Sequence, residues 1–456
     1  MRWSDVKSGL LDFWGEFRRV KSGMVGLVLL VLFVGVVLAE PYIIPYSEAG
    51  TRWRDITYWE DRPEGVPPAW LFRGLPPTQT ISNYAISEEV IGDVLLYEMV
   101  FSYDHRYDGA PQDLIFECEA IRKEPLMLSL SLQRPDDRTV DLLRKEVPPG
   151  VSRIRIPISK DENAKNAAYQ FALEYDENVR SDTIKTCEVL FTEARPSTPA
   201  LRGTYALTAA FILSQDDRIE DARIVLPGKV SGLLGTDGQK RDIWSGIVVG
   251  LKWALLIGLL TAAVSVAVGV VYGVMSAYLG GWKDALMQRV YEIFVSIPLL
   301  PILIVMSAVF RPSVWVMITM MCIFFWVGPV KTVRSMGLQI KEETYIEASR
   351  GIGASDARII FKHMVPLLIP YAFASMALNV PMAIVYESSI SLLGLGDATI
   401  VTWGQILHDG FTGGAVLRNL WWWILPPGLA IAIVSMSFAF IGFAMDAILN
   451  PKLRTR

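Results

Sequence analysis

Apolar runs fall into two groups along the chain. One, Gly23 to Ile44, stands alone near the N-terminus. Five more follow residue 240: Ile243–Leu279, Ala285–Phe310, Ser313–Val330, Leu367–Ile390 and Trp421–Leu449. A helix crosses a bilayer with about 18 or more mostly apolar residues, so the pattern predicts about six spans. Ahead of the first, Trp3, Val6, Leu10, Phe13, Trp14 and Phe17 recur at helical spacing, with Lys7, Arg18, Arg19 and Lys21 among the polar positions. Residues 1–22 therefore read as an amphipathic helix lying at the membrane interface, and 23–44 as the first span. The sequence "VLAE" offers a cleavage site after Ala39. The 22 residues before the run are long and aromatic for a signal-peptide lead, which favours a retained anchor.

Between the two groups the period changes to two. "LMLSLSLQ" puts Leu126, Leu128, Leu130 and Leu132 on one face, and "RIRIPIS" does the same with Ile154, Ile156 and Ile158. "DLIFECEAI" and "TYALTAAFIL" are further strand candidates, and "NAKNAAYQFALEY" reads as either a helix or a strand pair. Residues 45–240 are expected to form a β-rich soluble domain of sandwich type, with an irregular lead-in at "DRPEGVPPAWLFRGLPP". His105, in "YDHRYD", reads as a surface-loop residue.

Composition agrees with this division. Of 456 residues, 52% are hydrophobic and only 20% charged, and the mean hydropathy is +0.35. The net charge of −4 hides a split: residues 45–240 carry 23 basic and 32 acidic side chains, leaving 20 and 15 for the rest. Basic residues mark cytoplasmic loops. They concentrate in residues 1–22, the turn near Lys283 and Arg289, the stretch Lys331–Pro366 and the tail "NPKLRTR". Both termini are thus expected in the cytoplasm and residues 45–240 outside it. The three cysteines, Cys118, Cys187 and Cys322, lack metal-ligand spacing. Cys118 and Cys187 are either a disulfide pair in the outer domain or two unpaired strand cysteines. No metal site and no nucleic-acid partner are expected.

The polar stretch Glu347–Pro366, "EASRGIGASDARIIFKHMVP", separates two apolar runs. A helix starting at Glu342 is expected to break at Gly351 and Gly353, since glycine accepts the positive φ that ends helices. Ser355 or Asp356 can cap a second helix, Ala357–Met364, stopped by Pro366. This pair of short helices would present Arg350, Arg358 and Lys362. Its apolar face, Ile346, Ile352, Ile359, Ile360 and Phe361, wants a partner.

The order Glu347-Ala348-Ser349, Gly353 and His363-Met364-Val365-Pro366 resembles the coupling loop of ABC importer permeases. More narrowly it resembles that of the dipeptide/oligopeptide/nickel permease family. "FWGEFRRVKSGMVGLVLL", "LLGTDGQKRDIWS", "AYLGGWKDALMQR", "ESSISLLGLG", "WGQIL" from Trp403 and "ILNPKLR" follow the family's motifs in order. Ser349 stands where alanine is usual, Leu367 where asparagine is common, Lys240 where glycine is usual and Phe443 where aspartate is usual.

The resemblance implies an ABC importer permease fold and a C-type subunit: α-helical, polytopic, with the β-rich extracytoplasmic domain inserted between the first two spans. Residues 241–456 would be the permease core. Within it, 331–366 would form the cytoplasmic coupling loop, with Glu347, Ala348, Ser349, Arg350, Gly353, Ser355, Asp356, Arg358, His363 and Pro366 as the ATPase-coupling set. Asp237, Arg241, Asp242, Glu387 and Trp403 would lie at the gate or outer mouth. Glu387 would either hold the gate or loop in place by hydrogen bonds to backbone or bind substrate directly, the first being favoured. Asp237, Arg241 and Asp242 would either make a salt-linked turn or touch the binding protein. Implied partners are a second permease chain, two ABC ATPase subunits, an external substrate-binding protein and membrane lipid.

Peptides are the substrates the resemblance puts first, with oligosaccharides or nickel as alternatives. The chain has no G-x-x-x-x-G-K-[ST] loop; it is read as a transport subunit with no cofactor of its own, ATP and magnesium being bound by the partner ATPases. A secondary transporter would call for inverted repeats or clustered intramembrane acids. A receptor with an outer sensor domain would call for a cytoplasmic signalling module, and the inner segments are too short to fold one.

Overall fold

The computed structural model describes residues 14–91, 94–121, 125–149, 152–193, 198–214 and 217–449. Most of the N-terminal helix expected over 1–22, and the basic tail from residue 450 on, lie outside these. The chain divides into two compact units, residues 1–54 with 245–456, and residues 55–244.

The chain enters the first unit through α1 (Lys21–Leu38) and the short α2 (Glu40–Ile43). Gly23 and Gly26 are buried because later helical residues press on them: a Cβ at Gly23 would meet the Ala444 Cβ at 2.5 Å, and one at Gly26 the Ser437 carbonyl oxygen at 2.5 Å.

The described residues of 55–244 hold nine strands: β1 (Gln79–Ile81), β2 (Ala85–Ile91), β3 (Val94–His105), β4 (Ile115–Ile121), β5 (Leu126–Gln133), β6 (Thr139–Val147), β7 (Arg153–Pro157), then, after two helices, β8 (Gly203–Ser214) and β9 (Arg218–Leu226). The helices are α3 (Glu162–Leu173) and α4 (Thr186–Phe191). The ambiguous "NAKNAAYQFALEY" is thus a helix, opened by an Asp161 carboxylate that accepts the Asn163 and Ala164 amides. One sheet runs β1-β9-β4-β7 and the other β2-β3-β8-β5-β6, with antiparallel neighbours throughout. The two sheets share one core, in which Phe101 of β3 meets Phe116 of β4 edge to face at 6.1 Å and Phe116 meets Phe211 of β8 at 6.1 Å. Leu126, Leu128, Leu130 and Leu132 all point into it.

On the outside of the small sheet, Glu117 is almost buried and accepts from Arg153, Arg155 and Arg223. Glu60 also pairs with Arg153, and Asp61 with Arg155 and Arg223.

His105 is a buried strand residue, not a surface-loop one. Its Nδ1 shares a hydrogen with the Tyr103 hydroxyl at 2.8 Å, and Phe191, Tyr205 and Tyr107 ring it edge-on. Burial holds its pKa below the ordinary histidine range. Between the folded value and the unfolded value of about 6.5 the unfolded chain binds more protons, so stability rises with pH there. Calorimetry of the purified chain is expected to show the β unit losing thermal stability as pH falls below about 6.5, and losing less of it in His105→Gln. Cys118 and Cys187 are both buried and are not joined to each other by a disulfide. Cys118 lies on β4 as expected, whereas Cys187 lies on α4 rather than on a strand.

The chain returns through α5 (Ile243–Leu279), 37 residues long. The run expected as one span, Ala285–Phe310, is broken: α6 (Gly281–Ser296) and α7 (Leu299–Val309) meet at 78°. Pro298 causes the break. It holds an extended conformation and caps α7, and a proline biases the residue before it away from the helical region. The next span continues further than its apolar run, from α8 (Val314–Phe325) through α9 (Val327–Lys341).

Then come α10 (Thr344–Gly351) and α11 (Asp356–Arg358). A π turn over Ile359–Met364 and a 3-10 turn over Val365–Leu368 carry α11 straight into α12 (Ile369–Leu392). The second short helix expected to stop at Pro366 therefore does not stop; Asp356–Leu392 is one membrane-length element. The π turn shifts the ladder by one residue, with the Val365 amide bonded to the Ile360 carbonyl, just ahead of the proline that cannot donate.

Pro381, and Pro426 and Pro427 in the last helix, are likewise absorbed inside helices. A short α13 (Trp403–Thr412) precedes that helix, α14 (Trp421–Leu449). Among the described residues, five helices are long and apolar enough to span a membrane, six if the bent pair counts as one.

Candidate functional site

Two groups of the expected residues lie at opposite ends of α12. The residues from 366 to 387 span about 30 Å at 1.5 Å per residue.

At the first end, α10 carries Glu347, Ala348 and Arg350 exposed, with Ser349 half-buried and its hydroxyl on the Tyr345 carbonyl at 2.7 Å. Gly353 turns the chain at φ +83°, a left-handed conformation that disfavours any Cβ. The Ser355 hydroxyl then accepts the Arg358 amide and caps the following helix. Asp356 accepts from the Tyr278 hydroxyl at 3.0 Å, which fixes this corner to the end of α5. Arg358 and Pro366 are exposed and His363 half-buried.

The apolar face is divided rather than open. Ile346, Ile359, Ile360 and Met364 are buried with Val266, Val270, Val274 and Val333 of α5 and α9. Ile352, 87% exposed, and Phe361, 55% exposed, remain outside. The buried half anchors a corner whose outer half is charged residues around two apolar side chains.

An ion pair that the sequence pattern did not single out braces the same end. Arg334 of α9 makes two contacts with Asp284 of α6, Nε to Oδ1 at 2.9 Å and Nη2 to Oδ2 at 2.5 Å, and Ser276 of α5 joins the same carboxylate. Asp284 follows the Gly280–Gly281 turn by three residues, both glycines having positive φ. Glu292 pairs with Arg289 at 2.8 Å on an exposed face.

At the other end Glu387 is buried, and its partners are hydroxyls rather than backbone. Ser391 donates at 2.7 Å and Ser388 at 3.2 Å, and the Thr402 side chain also bonds it. Thr402 in turn caps α13 through the Gln405 amide at 3.3 Å. Trp403, also buried, donates its indole N–H to the Ile247 carbonyl at 3.0 Å and lies against Gly250, where a Cβ would meet its ring at 2.6 Å. Asp397, missed in the sequence, accepts the Val314 amide at 3.0 Å and so joins the loop to the start of α8.

Asp237, Arg241 and Asp242 lie in the β unit, each with 1% or less of its surface exposed. The Asp237 carboxylate accepts Arg241 Nε at 2.5 Å and the Gln239 and Arg241 amides at 2.8 Å. The salt-linked turn is therefore present, with its charged groups buried in this chain. Lys240 within it has φ +66°. The resemblance puts glycine at this position, and the lysine offsets the strain in part through its Nζ bond to the Glu60 carbonyl at 3.0 Å. Lys240→Gly relieves the strain and loses that bond, so the β unit's melting point is expected to change by only a few degrees. Lys240→Val keeps the strain and loses the bond, costing about 2 kcal/mol, which a thermal melt would register.

Among the described residues no group of three or more His, Cys, Asp or Glu side chains could hold a metal.

A bundle of membrane-length helices with a capped, charged corner at one end and a hydroxyl-bound carboxylate at the other defines a multi-pass membrane transport component. Two family models agree. Residues 269–455 match the binding-protein-dependent transport system inner membrane component, and residues 9–59 match the N-terminal TM domain of oligopeptide transport permease C.

The dipeptide transport system permease protein DppC of Bacillus subtilis is 28% identical over 321 residues, 66% of this chain and all of that protein. The oligopeptide transport system permease protein OppC of the same organism is 34% identical over 48% of this chain and 72% of its own length. OppC of Haemophilus influenzae is 32% identical over 48% and 70%. The chain belongs to the dipeptide/oligopeptide family of ABC transporter permease subunits.

Proposed function

We propose that this chain is the C-type permease subunit of an ATP-driven importer that carries short peptides delivered by an external binding protein. It pairs with a second permease chain to form the path, and two ATPase subunits supply the energy, holding ATP and magnesium themselves. Both termini face the cytoplasm and residues 45–240 lie outside, as the distribution of basic residues favours.

The observation that carries this reading is the corner at 344–358. Its inner side is packed into α5 and α9 while Glu347, Ala348, Arg350, Ile352 and Arg358 stand outside. Glu347, Ala348, Ser349, Arg350, Gly353, Ser355, Asp356, Arg358, His363 and Pro366 form the coupling surface. A push on it moves α12 as a unit, because the helix is continuous from Asp356 to Leu392. Glu387 and Trp403 hold the far end, where rigid-body rocking opens and closes the path. The Asp237–Arg241–Asp242 turn is a strut of the β unit.

Purification of the tagged chain from its native membrane tests the reading. Two ATPase chains and a second permease are expected to come with it, together with peptide-dependent stimulation of ATP hydrolysis once the binding protein is added. A complex with no nucleotide-hydrolysing protein would overturn it.

A further inference from the structure

The chain leaves the first unit at Arg54 and enters the β unit at Asp55. Arg54 is not a loose linker residue. Its Nη1 donates to both oxygens of Asp409, at 3.1 and 3.0 Å, and its Nη2 donates to Gln405 Oε1 at 3.0 Å. Asp409 and Gln405 are both buried on α13. Next to it, the Trp53 ring and Ile406 close over Gly246 of α5, where a Cβ would meet them at 2.5 and 2.9 Å. Lys252 of α5 holds Glu40 of α2 at 2.8 Å at the start of the same stretch.

The placement of Asp409 is costly on its own. It lies in the last turn of α13, where the helix dipole opposes a negative charge, and it is buried. A fork-shaped cation offsets both effects, and Arg54 supplies it. Gln405 binds Arg54 through its oxygen while its Nε2 lies close enough to Gly396 to leave no room for a Cβ there, 2.7 Å away. The guanidinium thus reaches α13 and, through Gln405, the loop that Glu387 and Asp397 hold. A cavity of about 350 Å³ lined by Arg54, Gly394, Gly396, Gln405, His408 and Asp409 leaves space beside it.

The other side of Arg54 is equally short. Asp55 caps the turn Ile56–Trp59, Trp59 is buried, and Glu60 and Asp61 join the arginine cluster around Glu117. Asp55, the next residue, is the first of the β unit.

The geometry points to Arg54 as a positioning residue that, from the end of the segment leading into the β unit, sets α13 and the 391–402 loop at the outer mouth. Loss of the Arg54 clasp frees α13 and, through Gln405, the loop held by Glu387. This rests on the importer reading for its functional consequence, but the clasp itself is testable without it.

Hydrogen exchange on the purified full chain is the first measurement. Arg54→Gln and Asp409→Asn are each expected to raise amide exchange across 396–412 at least tenfold, leaving β3 and β8 unchanged. Exchange that stays at the wild-type level overturns the clasp.

The second measurement uses the reconstituted complex. Arg54→Gln is expected to keep basal ATPase within twofold while binding-protein stimulation and uptake fall at least fivefold. The charge swap Arg54→Asp with Asp409→Arg is expected to recover at least half of the stimulation. Stimulation within twofold of wild type in Arg54→Gln overturns the positioning role. So does failure of both Arg54→Gln and Arg54→Lys to assemble, since the pair would then be a folding element alone. A wild-type complex without any ATPase would instead sink the importer reading, and the exchange result would stand apart from it.

Discussion

Glu347→Lys is expected to cut peptide uptake at least tenfold while the chain still inserts and the complex still hydrolyses ATP. Glu347 is exposed on α10, so reversing its charge leaves the packed side of the corner, Ile346 with Ile359 and Met364, intact. What changes is the surface offered to a partner, where a like-charge contact costs far more across an interface than in open solvent. Gly353 probes the same surface differently. Nothing lies within 4 Å of where its Cβ would be, so a side chain there meets no clash inside the chain. Only the φ of +83° resists it. Valine in that conformation costs about 1–2 kcal/mol or more and redirects the turn into the Ser355 cap. Asparagine tolerates the conformation but adds bulk. If Gly353→Val uncouples uptake and Gly353→Asn does not, the turn itself is what matters. If both uncouple, the partner approaches the backbone closely. Full uptake in Glu347→Lys and Gly353→Val together, assayed in vesicles beside ATP hydrolysis, would remove the coupling role.

The strands were legible where one face is apolar and the other is not. Leu126 to Leu132 and Ile154 to Ile158 show their buried side in the bare alternation, because the side-chain period of a strand is two. The same logic runs through Met99, Phe101, Tyr103 and His105, which all point inward. Its last two members are polar-tipped, so a hydrophobicity pattern hides them, and reading His105 as a loop residue followed. Period alone could have found it.

Breaks in the membrane helices were less legible. Pro298, Pro381, Pro426 and Pro427 all sit in apolar sequence, yet only Pro298 marks a 78° bend. A proline frees a carbonyl in any helix, and whether the helix bends depends on what neighbouring residues supply. That is tertiary information. The stretch Glu347–Pro366 shows its glycine hinge and serine cap in sequence, both local devices. It did not give which isoleucines face inward, since a short amphipathic element can place its apolar face against a partner or against its own bundle with the same pattern. The Arg54–Asp409 contact joins residues 355 apart, and no local rule reaches that distance. The Arg334–Asp284 brace, 50 apart, fails for the same reason.

Arg241→Ala is expected to cost the β unit about 3–5 kcal/mol, because it strands the Asp237 carboxylate in a fully buried site. That is a large share of the 5–15 kcal/mol that holds a domain folded, so the chain's steady-state level in the membrane should fall several-fold. Besides the Arg241 guanidinium, Asp237 has two backbone amide donors, those of Gln239 and Arg241. The double variant Asp237→Asn with Arg241→Met keeps an acceptor for those amides and removes both charges, and it should recover much of the loss. Arg241→Lys should sit between, as a point charge cannot replace a fork held along its Nε edge. The turn also feeds the membrane: the Ile243 amide bonds the Gly235 carbonyl at the first residue of α5. A weakened turn therefore loosens the start of that helix as well as the β unit, and calorimetry together with exchange at 236–246 would register both. If Arg241→Ala melts like the wild type but loses binding-protein stimulation, the pair is no strut. Its charges would then have to reach a partner in another conformation, the reading its burial now disfavours.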